Sequence, residues 1–261
     1  MKRLALVSAA LLLVLATAGT ALAQDDTARV RVVHASPDAP AVDVLVNDNV
    51  AFSNVPFTEI SDYASLDAGT YNVKVVPTGE TEPVVIEADL TLEAGTDYTV
   101  VAVGELANIE PVVLVDDNTL PAAGMAKVRF MHASPDAPNV DIQVADGPVL
   151  FENVPFKEAF PYITVDAGTY DLEAAIHDSG DVALEVPGVA FSERTVYTVF
   201  AMGLAGGDPA LQAVASADAT PAVLPETGGM SPTLLIALIA AVAGVSLAGM
   251  GLYLRRKAIR A

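Results

Sequence analysis

The chain has 261 residues, of which 33 are acidic and 13 are basic, so its formal net charge is −20 at pH 7. A chain this acidic repels nucleic acid and anionic lipid headgroups, which excludes nucleic acid as a partner and favours cations. It has no cysteine, which excludes disulfides, thiol nucleophiles, cysteine-ligated zinc and a lipoprotein anchor.

Residues 1–23 have the three parts of a secretory signal peptide. Two basic residues precede an apolar run over residues 4–15, and small residues follow, ending in Ala21-Leu22-Ala23. This pattern predicts cleavage after Ala23, so that the mature chain begins at Gln24. The alternative is an N-terminal membrane anchor, but the apolar run is short for a helix that spans a bilayer.

One phrase of the mature chain occurs twice. "VVHASPDAPAVDVLV" begins at Val32 and "FMHASPDAPNVDIQV" begins at Phe130, and the match continues through NVPF and DAGTY to "YTVVAVG" and "YTVFAMG". A period near 100 residues suits two complete domains better than a solenoid. We predict domains over residues 24–117 and 127–216. The predicted linker between them covers residues 118–126, and a short linker over 217–223 follows.

Within each copy, short runs alternate with a period of two residues, as in "ARVRVVHA" and "DYTVVAV", and turn residues separate these runs. The predicted fold class is therefore all-β, with two tandem antiparallel β-sandwich domains of an Ig-like or transthyretin-like kind. Asn47-Asp48-Asn49 and Asp146-Gly147 are hairpin-turn signals. In "DAGTY", we expect the Tyr71 hydroxyl to bond back across a corner.

The C-terminal region carries a second topological signal. The segment LPETG at residues 224–228 is followed by an uncharged run over 233–254 and a basic tail over 255–261. Twenty-two helical residues span roughly 33 Å, enough to cross a bilayer, and a basic cluster stays on the cytoplasmic side. We therefore predict a transmembrane helix over 233–254, with the domains outside the cell.

This arrangement resembles the sorting signal of surface proteins that sortases attach to the cell wall. The matching positions are Leu224, Pro225, Thr227 and Gly228, with Glu226 at the variable position. The resemblance implies cleavage between Thr227 and Gly228 and transfer of the Thr227 carbonyl to a wall amine, with a sortase and peptidoglycan as partners. The alternative is a single-pass plasma-membrane protein with its N-terminus outside, in which LPETG is a chance turn beside the membrane.

The phrase HASPDAPxVDV, followed by NVPF and DAGTY, resembles a bacterial surface family of domains of unknown function, numbered four-three-nine-seven. The two copies cover nearly all of the mature chain. The resemblance implies an extracellular β-sandwich repeat and brings no activity with it.

The HASPDAP phrase supports a structural and a functional interpretation. Its prolines prevent a central strand, so we predict a rigid crossover loop in which the histidine bonds to the loop or to the following aspartate. The functional alternative is a ligand or metal-ion site, although no calcium-loop motif supports it. The residues concerned are His34, Asp38 and Asp43 in the first copy and His132, Asp136 and Asp141 in the second.

An extracellular hydrolase is the least favoured alternative. It would use Ser36 or Ser134 as its nucleophile, but neither a nucleophile elbow nor an oxyanion motif accompanies these serines. We therefore expect a non-enzymatic surface protein with no cofactor and no metal. Its expected role is structural or adhesive, with a glycan or a protein as ligand, and the C-terminal helix holds it in the membrane before processing.

Overall fold

The structure, a computed structural model, describes residues 26–222, and all of its strands belong to one compact unit. The predicted signal peptide, sorting motif, transmembrane segment and basic tail lie outside these residues. Within 26–222, no helix is long and apolar enough to cross a membrane.

The predicted all-β fold with two tandem sandwiches is confirmed. Repeat 1 consists of strands β1 to β8 and repeat 2 of strands β9 to β16, and a single turn of 3-10 helix, Leu106–Asn108, lies between β7 and β8. The strands of repeat 1 are β1 (Thr27–His34), β2 (Val42–Val46), β3 (Asn49–Val55), β4 (Ala64–Asp67), β5 (Gly69–Pro77), β6 (Ile86–Leu92), β7 (Asp97–Val103) and β8 (Glu110–Asp116). Those of repeat 2 are β9 (Met125–His132), β10 (Val140–Val144), β11 (Val149–Val154), β12 (Ile163–Asp166), β13 (Gly168–Ile176), β14 (Val182–Phe191), β15 (Thr195–Met202) and β16 (Gln212–Ala219).

Each repeat has two four-stranded sheets. We call β4-β1-β7-β8 and β12-β9-β15-β16 the inner sheets, and β3-β2-β5-β6 and β11-β10-β13-β14 the outer sheets. Aliphatic side chains from the inner and outer sheets meet between them, for example Val32 with Val44 and Val75 in repeat 1. In repeat 2, Phe130 and Phe151 occupy the corresponding layer. These layers are the sandwich cores that the period-two alternation predicts.

The inner sheets contain a parallel strand pair, which differs from the antiparallel pairing that we predicted for the sandwich. β1 runs parallel to β7, with Val32 opposite Val100, and β9 runs parallel to β15, with Phe130 opposite Val199. Between β1 and β7 the chain forms the four strands of the outer sheet and the edge strand β4 of the inner sheet. It then returns to the inner sheet beside β1 and in the same direction. The remaining strand pairs in the four sheets are antiparallel.

The two inner sheets pack against each other and form a third buried layer between the repeats. Along β1, Val30 and Val32 face the core of repeat 1, whereas Arg31 and Val33 lie on the opposite face and are also buried. The fully buried members of this layer are Val33, Ala35, Val101, Val103, Met131, Ala133, Phe200 and Met202. The inner sheets are therefore buried on both faces.

The structure also corrects the predicted linker over residues 118–126, because β9 begins at Met125, inside that segment.

Candidate functional site: the repeated loops and the surface between the repeats

Both histidines of the HASPDAP phrase are buried and bonded within their own loops. His34 is 1% exposed, its Nε2 lies 2.9 Å from the Pro40 carbonyl oxygen, and the Ser36 amide donates to its Nδ1 over 3.3 Å. Because Nδ1 accepts, Nε2 carries the proton and donates to Pro40. His132 repeats this arrangement with the Pro138 carbonyl at 3.0 Å and the Ser134 amide at 3.3 Å.

Burial keeps these two imidazoles neutral. It lowers the pKa of His34 and of His132 below the usual 6.5, and the bond from each ring to a proline carbonyl opposes this only in part. The edge of each ring also contacts a phenylalanine, Phe57 or Phe156. Both nitrogens of each ring are already engaged, so neither histidine offers a free lone pair to a metal ion or a proton acceptor to a substrate. Each histidine closes its loop.

The aspartates of the first loop accept backbone amides. The two oxygens of Asp43 accept from the Asn54 amide at 2.7 Å and the Gly79 amide at 3.0 Å, and these bonds lower the pKa of the carboxyl. Asp38 accepts from the Leu106 amide at 2.7 Å. Asp43 thus ties together segments of the outer sheet, while Asp38 anchors the loop between β7 and β8.

The second loop uses its aspartates in the same way. Asp136 accepts from the amides of Ala205 and Gly206 at 2.7 and 3.0 Å. Partial burial opposes ionisation of Asp136, but the amide bonds outweigh it and lower the pKa of the carboxyl. Asp141 accepts from the Asn153 amide at 2.6 Å and lies 2.8 Å from Nδ1 of His177.

The loops therefore contain neither a metal cluster nor a catalytic dyad in the part of the chain that the structure describes. No three His, Asp or Glu side chains in residues 26–222 are placed to hold a metal ion. Ser36 meets His34 through its backbone amide, and its buried hydroxyl oxygen has no hydrogen-bond partner. The Ser134 hydroxyl donates to Asp136, 3.3 Å away. The six residues that we singled out lie in two separate loops or in the strands beside them. Their bonds close these loops or tie them to neighbouring segments.

Two buried ion pairs lie between the repeats. Arg31 of β1 and Asp218 of β16 form an ion pair at 2.7 Å, with side-chain exposures of 2% and 0%. The remaining Arg31 nitrogens donate to the hydroxyls of Thr99 and Ser216, each at 2.8 Å. The guanidinium also lies over the ring of Tyr63, 4.8 Å from its centroid.

A second ion pair links the repeats in the opposite sense. Arg129 of β9 pairs with Asp116 of β8, with side-chain exposures of 4% and 0%. Arg129 also donates to the Thr198 hydroxyl at 2.8 Å and lies 4.8 Å from the centroid of the Tyr162 ring. Burial raises the pKa of Tyr63 and of Tyr162, so both phenols stay protonated and able to donate.

None of these residues is among the predicted site residues, although the sequence carries one signal of the network. Arg31 and Arg129 occupy matching positions in "ARVRVVHA" and "AKVRFMHA", among the seven basic residues of segment 24–227. The recurrence of an arginine at the same place in both repeats of so acidic a chain is that signal, although an arginine in such a strand normally faces solvent.

Comparison with known proteins assigns the family. Two stretches of the chain, residues 28–143 and 132–228, match the family described as Domain of unknown function (DUF4397). The chain belongs to this family. A comparison with the curated proteins finds no match.

Among solved structures, the chain is similar to CBMbc, of family CBM26, from Eubacterium rectale Amy13K, solved with maltoheptaose. The identity is 11%, 75% of this chain and 98% of that chain are covered, and the TM-score is 0.24. The Bacillus anthracis TIE protein has 12% identity over 69% of this chain and 34% of its own, with a TM-score of 0.20. A leucine-rich repeat protein from Bacteroides thetaiotaomicron has 13% identity, coverages of 67% and 26%, and a TM-score of 0.17. At these TM-scores, the similarities carry no functional argument.

Proposed function

We propose that this DUF4397 protein is a non-enzymatic surface protein that a sortase attaches to the cell wall at Thr227. The observation that carries the proposal is the order of three segments: LPETG at 224–228, the uncharged run at 233–254 and the basic tail at 255–261. A signal-peptide pattern over 1–23 supports the same location. In this proposal the two repeats form one preassembled module with a structural or adhesive role.

The geometry of the loops favours a structural role over chemistry. His34 and His132 are neutral and use both ring nitrogens to close their loops. The recurrence of the phrase within this chain thus has a structural explanation, because in each copy the histidine closes the loop and the first aspartate ties it to a neighbouring loop. A reactive site would need at least one of these groups free to meet a substrate.

The distance to the wall follows from where the last strand ends. β16 ends at Ala219, and Thr227 lies eight positions further along the chain, or roughly 26 Å away when the chain is fully extended. This short tether would keep the module close to the peptidoglycan.

The segment between the predicted cut sites has 33 acidic residues and 7 basic ones, a net charge of −26. A glycan or protein ligand would therefore bind through neutral or cationic groups.

Mass spectrometry of protein released from cell walls by a muralytic enzyme tests this proposal. A C-terminal peptide that ends at Thr227 and carries a wall fragment is the expected result. The variant Thr227→Ala should stay in the membrane fraction with an intact tail, whereas Glu226→Gln, at the variable position, should be processed normally. An intact tail through Ala261 in the unmodified protein, found only in membranes, would replace the proposal with the single-pass alternative.

The alternative of a metal-ion module is tested on residues 24–227. Because the loop aspartates already accept backbone amides, we expect no heat from calcium or zinc at millimolar concentration in isothermal titration. Binding with a stoichiometry of two per chain that is lost in Asp43→Asn and Asp141→Asn would favour the metal-ion module.

A further inference from the structure

The contacts between the repeats are reciprocal. Arg31 of repeat 1 pairs with Asp218 of repeat 2, and its counterpart Arg129 of repeat 2 pairs with Asp116 of repeat 1. Around both pairs, equivalent groups recur: a threonine hydroxyl bonds the arginine Nε, and a tyrosine ring lies 4.8 Å from the guanidinium carbon. This exchange of the same patch in both directions is the pattern of an isologous interface in a symmetric dimer.

The apolar layer adds a size difference to this symmetry. Among the fully buried side chains of this layer, repeat 1 contributes the small Val33, Val101 and Val103. At the matching places, repeat 2 contributes the larger Met131, Phe200 and Met202, which are all fully buried. Buried layers pack at near-crystalline density, so voids and overpacking are both unfavourable.

The volumes of the buried side chains, rather than the charges, would therefore prevent two identical repeats from pairing. Each repeat carries one arginine and one aspartate, so the ion pairs could also form between two copies of repeat 1 or two copies of repeat 2. Two copies of repeat 1 would lack the volume of Met131, Phe200 and Met202 and would leave voids in the layer. Two copies of repeat 2 would bring two sets of these large side chains into one layer and overpack it.

The covalent link between the repeats lies outside this buried layer. Residues 117–124 connect β8 to β9 without forming a strand, and Asp117 is exposed at the surface and pairs with Lys127 at 3.0 Å. The arginines and aspartates of both buried ion pairs lie on strands and not on the linker. These ion pairs would thus be the same if the two repeats came from different chains.

We propose that the surface between the repeats is selective: through it, repeat 1 of one chain also binds repeat 2 of a second copy of the chain, and it does not bind another repeat 1. Two chains that exchange repeats would form a closed dimer, and longer exchanges would link neighbouring chains. This inference does not depend on wall attachment.

A charge-swap experiment on residues 24–227 tests the docking between chains. The variant Arg31→Asp places two negative charges together within one chain, at positions 31 and 218. The variant Asp218→Arg places two positive charges together at the same positions. When the two variants are refolded together from urea, exchanged repeats bring opposite charges together at both positions. The expected product is a 1:1 heterodimer of twice the monomer mass by light scattering, with a higher unfolding midpoint than either variant refolded alone.

The double variant Arg31→Asp/Asp218→Arg is the control within one chain, and it should be a monomer. If it folds with wild-type stability while the mixed single variants form no heterodimer, the proposal is wrong. If the double variant is itself unstable, a second measurement decides.

A protease site is inserted into residues 117–124 of the wild-type chain, the folded protein is cut, and two isotopically distinct samples are mixed.

Native mass spectrometry then identifies the pairs in the mixture. We expect the halves to stay together after cutting and to exchange between samples only as repeat 1 with repeat 2. Separation of the cut halves into monomers would overturn the docking surface. Pairs of repeat 1 with repeat 1, in amounts equal to the mixed pairs, would overturn its selectivity.

Discussion

The ion pair between Arg129 and Asp116 makes a quantitative prediction about stability. Replacing Arg129 with methionine removes the counter-charge of the Asp116 carboxylate, whose side chain is 0% exposed. The hydroxyls of Thr99 and Tyr63 still donate to the carboxylate, but they carry no charge. Removing one partner from a buried pair typically costs about 3–5 kcal/mol, because the other charge remains desolvated. We therefore expect Arg129→Met to lower the free energy of unfolding by that amount.

Urea unfolding of residues 24–227, followed by circular dichroism, measures this loss. Arg29→Met is the matched control, because Arg29 is 49% exposed in its pair with Asp97 and its loss should cost at most about 1 kcal/mol. The double variant Arg129→Met/Asp116→Leu should be more stable than Arg129→Met, since it removes the unpaired charge. The reasoning is refuted if Arg129→Met costs no more than Arg29→Met, or if the double variant is the less stable one.

Three further predictions concern the turns, the corners and the loop histidines. Gly203→Ala should destabilise the protein by more than about 1 kcal/mol in urea unfolding, because φ is +94° and a Cβ would overlap a backbone carbonyl. Gly180→Ala is the control and should cost less, because there is open space around Gly180. Tyr71→Phe should cost about 0.5–1.5 kcal/mol, since the tyrosine hydroxyl donates to a backbone carbonyl 2.8 Å away; an unchanged urea midpoint would contradict this. Burial lowers the pKa of His34 and His132, so below about pH 6.5 the unfolded chain binds protons more readily than the folded one. The free energy of unfolding should therefore be at its full value above that pH and fall below it. In urea titrations between pH 5 and 7.5, the variant His34→Gln/His132→Gln should show a weaker dependence on pH.

The strands and turns were predictable because each depends on neighbouring residues. The hairpin at Asn47-Asp48-Asn49 has φ of 50° at Asn47 and 64° at Asp48, as expected of residues that tolerate positive φ. The corner bond of Tyr71 is confirmed. Of the two partners predicted for His34, the structure shows the loop carbonyl rather than Asp43.

The parallel pairing and the surface between the repeats were not predictable in the same way, because both depend on residues far apart in the chain. Alternation in "ARVRVVHA" indicates one buried face, and arginine on the other face normally indicates solvent. Arg31 is nevertheless buried, because its counter-charge comes from Asp218, 187 positions away. In β1, five consecutive residues, Val30 to His34, are buried. The adjacent apolar residues Val32 and Val33 are the local sequence feature that departs from a strand with one solvent-exposed face.

The use of the basic residues has a consequence for pairing between chains. Six of the seven basic residues in segment 24–227 form ion pairs, namely Arg29, Arg31, Lys74, Lys127, Arg129 and Lys157. The segment keeps a net charge of −26, so two chains repel each other as they approach. The docking pairs themselves are buried and little screened by salt, whereas the long-range repulsion is screened beyond about 10 Å at 0.1 M salt. Raising the salt from 0.02 to 0.5 M should therefore increase the yield of exchanged heterodimer; a yield that falls with salt would mean that exposed ion pairs, rather than the buried layer, hold the repeats together.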